Sequence, residues 1–425
     1  MTQSVLGTIV LGYRPMWNRL RELAGVQLFI EVDPVHPVDA RHLLRTLEEM
    51  WTPHSPPLLL SPQTPGLLHE LLEHAPAQAP WIEVRSEWLD DLVTLQAVFA
   101  AHGRGLFLVW RGNSAQLPDP EVAACFEKCL LTLSPEDAVQ AVRVCAQSLQ
   151  AGSPPQDSPV LGEQLYEGVA SRTLMRHCLD QRRAQALCGW PSDDVLHGYR
   201  HQTISPAREL VTKLLRIVRA DESMEVIEQV MSQDPVLVYR FLAHANSPTL
   251  GLQSGIDSLR RALMMIGYTS LEHWLEQQLP STMDDADLKP ITTAIVLRAR
   301  LMETLLDAGE EHELQREVYL CGVFSQLDLL LGEPLGTAVQ TLPLSERIFE
   351  ATVAHAGPYA PCLAIATAME QEDTTQTRLL CELHEMNIED VNRVLLRALA
   401  ALYVAPASGE FGERRRRSRA RSFGS

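Results

Sequence analysis

Along residues 1–200, short apolar runs alternate with longer stretches that mix apolar and polar residues. The runs VQLFIEV, PWIEVRS and GLFLVWRG are bounded by Gly, Pro, Ser or charged residues, which is typical of strands. Between such runs, DARHLLRTLEEMW and WLDDLVTLQAVFAAHG are amphipathic and predict helices. Regular alternation of strand and helix predicts a parallel α/β architecture for this half of the chain.

From about residue 205 the strand pattern stops and helical periodicity replaces it. The segment SPARELVTKLLRIVRA opens with Ser-Pro, a helix start signal, and its apolar residues recur at helical spacing. Similar segments follow as far as IEDVNRVLLRALAALYVA. We therefore predict an α/β domain over 1–200 and an all-α domain over 201–405.

The last twenty residues, 406–425, have a third character. Six arginines fall between Arg414 and Arg421 among glycine and serine, without an apolar period, which predicts a disordered tail. The tail is either a solvated segment that meets the acidic body, or a contact for a phosphate-bearing partner such as nucleic acid or lipid, or a contact for a protein.

Composition narrows the class of protein. An apolar fraction of 46% supports real cores, and 21% charged residues are too few for a disordered chain. A net charge of −18 disfavours binding of the body to nucleic acid or anionic membrane. No basic region precedes an apolar run at the N-terminus, and no stretch reaches the roughly 18 apolar residues of a membrane span. We expect a cytoplasmic protein without a membrane partner.

The eight cysteines include no Cys-x-x-Cys pair, and the closest two, Cys125 and Cys129, are one helical turn apart. Most have apolar neighbours, which favours reduced thiols in the core of a cytosolic protein. A zinc site is the alternative, but the spacing does not support it.

The strongest local pattern runs from Ile227 to Gly267. Asp234 and Pro235 mark a helix start, and Asn246 with Ser247 marks its end. The later helix SLRRALMMIG carries an apolar stripe and is expected to stop at Gly267. Further on, GVFSQLDLLLG precedes LPLS.

In this order the motifs resemble the HDOD domain, in particular the C-terminal half of two-domain EAL–HDOD proteins of the YuxH type. The signature residues, expected to have structural roles, are Asp234, Pro235, Asn246, Ser247, Ala262, Gly267, Gly322, Phe324, Ser325 and Asp328.

The HDOD resemblance implies a fold like that of HD phosphohydrolases without their metal site. An HD site needs two histidines and two aspartates, and the chain contains no His-Asp dipeptide. His244 lies on a predicted helix without a neighbouring acid. His312-Glu313 and His384-Glu385 lie on polar helix ends. We interpret these histidines as structural or solvated, and we predict no metal and no cofactor.

The first half resembles a degenerate EAL domain, which implies a TIM-type α/β barrel. Tyr13 and Pro15 fit its first strand, Glu83 fits a metal-binding strand, and Gly198 with Tyr199 fits its closing segment. EAL enzymes hydrolyse cyclic di-GMP with two cations about 4 Å apart, held by carboxylates at strand ends.

Most of those carboxylates have no counterpart here. Gln27 to Phe29 replace Glu-Ala-Leu, and Arg111, within Val109 to Asn113, replaces an expected Asp. The late Val-Glu-Thr is aligned with Val169 to Thr173, which lacks the glutamate. Only Glu83 remains, and one carboxylate cannot hold two metals. We therefore expect no catalytic residues and no enzyme.

These observations predict a non-catalytic bacterial signalling regulator that binds partner proteins or a second copy of itself. The resemblance connects it with cyclic di-GMP, motility or stress pathways. Two alternatives stay open: a sensor that binds cyclic di-GMP through Arg14 and Arg111 without cutting it, and a weak residual phosphodiesterase.

Overall fold

The computed structural model describes residues 4–33, 38–151, 158–200, 204–248, 255–306 and 312–402; the predicted arginine-rich tail lies outside them. Two compact units are present. The first comprises Met1–Pro191 together with Ala368–Ser425, and the second comprises Ser192–Thr367.

The first unit contains a closed barrel of eight strands in chain order. The strands are β1 Ile9–Trp17, β2 Leu23–Val32, β3 Leu58–Pro62, β4 Trp81–Arg85, β5 Leu108–Asn113, β6 Lys128–Thr132, β7 Leu165–Glu167 and β8 Ala186–Cys188. Strand β1 is antiparallel to both of its neighbours, and all other pairs are parallel. The predicted TIM-type barrel is confirmed.

Helices connect the parallel strands. They are α1 Ala40–Met50, α2 Pro65–His74, α3 Leu92–Gly103, α4 Pro120–Ala123, α5 Pro135–Ala151 and α6 Arg172–Arg176, with short 3₁₀ turns at Val5–Gly7 and Ser86–Trp88 and a π turn at His177–Gln181. Asp39, Thr64 and Asp91 cap α1, α2 and α3 by accepting backbone N–H bonds at their first turns.

One layer of apolar side chains fills the barrel interior. It consists of Met16, Ala24, Leu59, Val109, Leu130, Leu165 and Ala186, together with Cys188 and the partly buried Trp81. Because side chains on a strand alternate between faces, the residue two positions further along points the same way. On β3 to β7 those next residues are polar, so the interior changes character toward the carboxyl ends of the strands.

The second unit is helical. Its helices are α7 Ser192–His197, α8 Arg208–Arg219, α9 Met224–Met231, α10 Pro235–Ala245, α11 Leu259–Gln278, α12 Lys289–Leu305, α13 His312–Phe324, α14 Leu327–Leu331, α15 Leu335–Gln340, α16 Glu346–Phe349 and α17 Ala360–Ala368, with 3₁₀ turns at Leu279–Ser281 and Ala286–Leu288 and a π turn at Glu350–Ala354. The prediction of an all-α region after the barrel is confirmed.

Gly267 ends a helical segment, as its motif predicts. Its φ of +71° and ψ of 170° are non-helical and favour glycine, and they divide α11 into two segments. Asn246 ends α10, as predicted, with φ −94°. Its side chain bonds the backbone of Leu242 and Ile256.

The final helices, α18 Thr375–Leu383 and α19 Ile388–Ala400, belong to the barrel unit. The predicted boundaries had assigned them to the helical domain. The reason is physical: β8 pairs with β1 only at Met16 and Trp17. Further along β1, the Leu11 N–H donates to Asn392 Oδ1 at 3.1 Å and the Tyr13 N–H donates to the Met369 carbonyl at 2.8 Å.

Candidate functional site

A polar layer lies at the carboxyl ends of the barrel strands, where active sites of TIM-type barrels are found. Each member follows an apolar core residue by two positions on its strand. The layer consists of Ser61 on β3, Glu83 on β4, Arg111 on β5, Thr132 on β6 and Glu167 on β7. Gln27 on β2 joins it through hydrogen bonds.

The guanidinium of Arg111 is the centre of this layer. Its Nε donates to Glu167 Oε1 at 2.6 Å and its Nη2 donates to Glu167 Oε2 at 2.8 Å. Nη1 donates to Glu83 at 3.0 Å and to Glu372 at 2.6 Å, and Nη2 also donates to Glu372 at 2.8 Å. Because a guanidinium has five N–H donors, every donor of Arg111 is matched with a carboxylate oxygen.

Glu83 is fully buried on the inner side of Arg111. Its Oε2 accepts from Ser61 Oγ at 2.5 Å and from Gln27 Nε2 at 2.8 Å. Burial raises the pKa of Glu83 against the lowering influence of Arg111 and Ser61. Gln27 Oε1 is buried without a hydrogen-bond partner among the described residues.

Glu372 closes the layer on the outer side and comes from the C-terminal part of the chain. Besides Arg111, it lies 3.0 Å from Arg85 Nη2 and 3.5 Å from Arg14 Nη2. Arg14 also bonds Glu167 at 3.2 Å and lies over the Phe29 ring, and Arg85 lies over the Trp88 ring.

This geometry shifts the pKa of Glu372 and of Arg111. Burial works to raise the pKa of Glu372, but the hydrogen bond from Arg111 and the charges of Arg111, Arg14 and Arg85 hold it below its usual value. Burial works to lower the pKa of Arg111, and the three carboxylates outweigh it and raise that pKa. The cluster therefore pairs three arginines with three glutamates.

The two divalent cations that an EAL resemblance implies do not fit these residues. Only two strand-borne carboxylates, Glu83 and Glu167, face the mouth among the described residues of the polar layer, and the Arg111 guanidinium lies between them. Among the described residues, no group of three or more His, Cys, Asp or Glu could hold a metal ion. A guanidinium at this position would repel a cation.

The EAL-like residues predicted from sequence fall into two groups. Tyr13 and Pro15 lie on β1, and Glu83 lies in the polar layer, so these three belong to the barrel unit. Gly198 and Tyr199 follow α7 in the helical unit, where the Tyr199 hydroxyl donates to Asp285. These two residues therefore belong to the other unit than Tyr13, Pro15 and Glu83.

Sequence reasoning missed two acidic members of the cluster. The resemblance aligns the late glutamate with Val169 to Thr173, whereas β7 ends earlier, at Glu167 in QLYEGV. A sequence signal was present, because a short apolar pair precedes Glu167 and a glycine follows it. Glu372 had no local signal, since its partners lie more than 260 positions away along the chain.

The HDOD signature residues of α10 and α11 have structural contacts. Asp234 caps α10, which begins at Pro235, by accepting from the N–H groups of Val236 and Leu237, and it also accepts from Ala207. The Ser247 N–H donates to the His244 carbonyl, and Ala262 is buried.

The remaining signature residues follow the same pattern. A Cβ on Gly322 would collide with Ala299, so glycine permits the close contact of α13 and α12. Phe324 is buried, Ser325 Oγ donates to the Gly322 carbonyl, and the Asp328 carbonyl accepts from Gly332.

The histidines considered in the sequence analysis are not part of a metal-binding group among the described residues. The His244 ring stacks on Trp274 with centroids 5.8 Å apart, and His384 is exposed. The side chain of His312 lies outside the described residues. All eight cysteines are free thiols, seven of them buried and Cys129 half-buried, as predicted for core thiols.

No helix among the described residues is both long and apolar enough to cross a membrane.

Comparison with known proteins assigns the second unit. Residues 204–333 match the HDOD domain family. The chain is 24% identical over 200 residues to the cyclic di-GMP phosphodiesterase CdgJ of Vibrio cholerae, covering 47% of this chain and 46% of CdgJ. It is 26% identical over 164 residues to the uncharacterized protein YuxH of Bacillus subtilis, covering 38% of this chain and 40% of YuxH.

Among solved structures, the MmoQ response regulator of Methylococcus capsulatus is similar with a TM-score of 0.38 and 14% identity. That similarity covers 45% of this chain and 98% of MmoQ. The matches to CdgJ and YuxH span less than half of each relative's length.

Fold and sequence together define a two-part chain, a closed eight-stranded barrel followed by a helical region that contains an HDOD domain. The predicted resemblance to EAL–HDOD proteins of the YuxH type is thereby confirmed.

Proposed function

We propose that the chain is a cytoplasmic, non-catalytic signalling regulator in a cyclic di-GMP-related pathway, and that it acts by binding partner proteins. The observation that carries this proposal is the position of Arg111. Its five N–H groups donate to Glu83, Glu167 and Glu372. In this part of the barrel a metal-dependent hydrolase would need carboxylates that are free to bind metal ions.

Recruitment of a metal would require that Arg111 leave. That movement breaks five hydrogen bonds to carboxylates and leaves the fully buried Glu83 with only the more distant Arg85, 3.8 Å away, as an arginine partner until the metal arrives. A regulator that lacks chemistry can signal only through differential binding, which makes a protein partner or a second copy of the chain the expected target.

Hydrolysis is the direct test of the non-catalytic part. Purified full-length protein is incubated with cyclic di-GMP and either Mg²⁺ or Mn²⁺, and linear dinucleotide is measured by chromatography. We expect no turnover. Turnover that scales with protein and disappears in Glu83→Gln, but not in the exposed control Glu49→Gln, would contradict the proposal.

Partner binding is tested separately. The full chain and a version without residues 406–425 are used to capture proteins from the source bacterium, and sedimentation gives the oligomeric state of each. We expect a stoichiometric partner or a self-associated species. A protein that is monomeric at all concentrations and captures nothing above background would argue against a binding role.

A second candidate function has a specific observation in its favour. Arg14, Arg85 and Arg111 converge at one end of the barrel, and guanidinium groups bind phosphate oxygens well. A sensor would bind cyclic di-GMP there without cleaving it. Isothermal titration with the dinucleotide tests this, and micromolar binding would favour the sensor over a pure protein-interaction role.

A further inference from the structure

The segment of residues 369–392, called here the C-terminal strap, is bound to the barrel at four points. The Met369 carbonyl accepts from the Tyr13 N–H, and Glu372 pairs with the three arginines of the polar layer. Arg378 lies 3.3 Å from Asp33, and Asn392 bonds the start of β1. The contacts extend from the mouth of the barrel along the edge of β1 that β8 leaves unpaired.

Close packing against β1 depends on a glycine. An ideal Cβ on Gly12 would lie 2.5 Å from the Gln371 carbonyl oxygen and 3.3 Å from that of Met369. A side chain at this position would push the strap away from the strand. The backbone next to Glu372 is thus seated directly on the barrel wall, which fixes where its carboxylate can reach.

The contacts of Glu372 indicate what it replaces. Without it, the ion-pair partners of the three arginines are Glu83 and Glu167 and, at Arg85 alone, the exposed Glu87 at 3.9 Å. Among the described residues, Glu372 is the acid that pairs with Arg14, Arg85 and Arg111 together, and Arg111 binds it through two parallel N–H···O bonds of 2.6 and 2.8 Å. This fork geometry accepts a carboxylate or a phosphate group equally.

Glu372 is also the accessible member of the cluster. Its side chain is 27% exposed, against 0% for Glu83 and 8% for Glu167. It can therefore leave for solvent at a lower desolvation cost than the two strand carboxylates.

We propose that Arg14, Arg85 and Arg111 form an oxyanion site which the protein occupies with its own Glu372, so that a phosphate-bearing ligand binds only when this part of the strap withdraws. The inference rests on the second candidate function given above and adds a mode of control to it. Such an internal competitor lowers the apparent affinity of an external anion by the fraction of time for which the site is open.

The test compares three full-length proteins: wild type, Glu372→Gln and Asp373→Asn. Asp373 is the exposed neighbour of Glu372 and accepts a hydrogen bond from the Thr375 N–H. Its substitution changes the net charge equally and removes no hydrogen bond or ion pair of the cluster that is seen among the described residues. Inorganic pyrophosphate and cyclic di-GMP are titrated into each protein by calorimetry. Thermal unfolding verifies that each variant is folded.

We expect Glu372→Gln to bind at least one of the two probes at least about tenfold more tightly than wild type, which corresponds to a site that is open for roughly a tenth of the time or less. Asp373→Asn should stay within about twofold of wild type. Adding Arg85→Met to Glu372→Gln should remove the gain. Equal binding by wild type and Glu372→Gln, an equal gain in Asp373→Asn, or no binding to any protein would overturn the proposal.

A second readout covers the case in which Glu372→Gln is poorly folded. In wild type, saturating pyrophosphate or cyclic di-GMP should increase hydrogen exchange at residues 369–375, because the ligand displaces the carboxylate. Binding that leaves this exchange unchanged would overturn the inference.

The two proposals fail separately. If Glu372→Gln binds and hydrolyses cyclic di-GMP, the non-catalytic proposal fails while the internal competitor stands. If no variant binds an anion, the internal competitor fails while the absence of catalysis is untouched.

Discussion

Asn392 offers the sharpest test of how the C-terminal strap supports the barrel. It is fully buried on α19 and makes three hydrogen bonds to the backbone at the start of β1. Its Oδ1 accepts from the Leu11 N–H at 3.1 Å, and its Nδ2 donates to the carbonyls of Leu6 and Ile9, both at 2.8 Å. Asn392→Ala would leave all three backbone groups without a partner.

The magnitude follows from these contacts. A buried polar backbone group that loses its partner costs about 1–3 kcal/mol, and neighbouring losses are not fully additive. We therefore expect Asn392→Ala to lower the free energy of unfolding of the barrel unit by about 3–5 kcal/mol. For a unit of this size that corresponds to a fall in Tm of roughly 6–20 °C.

Asn392→Asp separates the effect of lost hydrogen bonds from that of lost packing, because the aspartate side chain has nearly the same shape as that of asparagine. Its carboxylate can accept from Leu11 but faces two carbonyl oxygens in place of donating to them. We expect it to be at least as destabilising as Asn392→Ala at neutral pH. Asn387→Ala, on the same helix, is the matched control: it removes only the exposed N-cap bond to Glu389 and should cost about 1 kcal/mol.

Thermal unfolding gives the stability change, and hydrogen exchange by mass spectrometry locates it. Exchange at residues 6–13 should rise in both Asn392 variants and stay at the wild-type level in the Asn387 control. If Asn392→Asp melts with wild-type Tm and the Leu11 amide stays protected, the strap does not complete the β1 edge and the reasoning is refuted.

Three further predictions follow from the same contacts. Arg111→Met should destabilise the barrel by about 3–5 kcal/mol, because it removes the arginine that hydrogen-bonds the buried Glu83. Urea unfolding measures this against the exposed control Arg45→Met, and equal stability of the two variants would contradict the prediction. The pKa of Glu372 is held below its usual value, so its stabilising contribution is complete above about pH 4.5 and is lost as pH falls through the lowered value. The stability difference between wild type and Glu372→Gln should therefore shrink only in acid, and a difference that persists unchanged at pH 3 would argue against it. In the helical unit, Asp234→Ala removes the acceptor of three backbone N–H groups and should cost about 2–4 kcal/mol by thermal unfolding, whereas Asp234→Asn should recover part of it.

Much of the architecture could be predicted because it depends on local pattern. The strands at WIEVRS and GLFLVWRG, the helix start at Asp234 and the change of periodicity near residue 205 all appear in short windows. Glu83 could be singled out because the EAL resemblance aligns the short strand WIEVRS with a metal-binding strand.

The rest of the site depends on contacts between distant parts of the chain. Nothing near Glu372 shows that it meets arginines of β1, β4 and β5. Asn392 did carry a signal, since it occupies the apolar face of α19 with Val391, Leu395 and Leu399. A polar residue at such a position indicates a specific buried partner, but not which one, so the assignment of the last helices to the barrel could not follow.

The chain leaves the barrel unit after Pro191 and returns to it at Ala368, which makes the HDOD-containing unit a tether between two parts of one fold. When that unit is folded, its two ends have a fixed separation. When it is unfolded, the returning segment is joined to the barrel by a long random coil, and its binding to the barrel has an entropic cost that grows with loop length. If force, proteolysis or a partner unfolded the helical unit, the effective concentration of the segment from Ala368 onward near the barrel would fall. The barrel unit would be destabilised as a result.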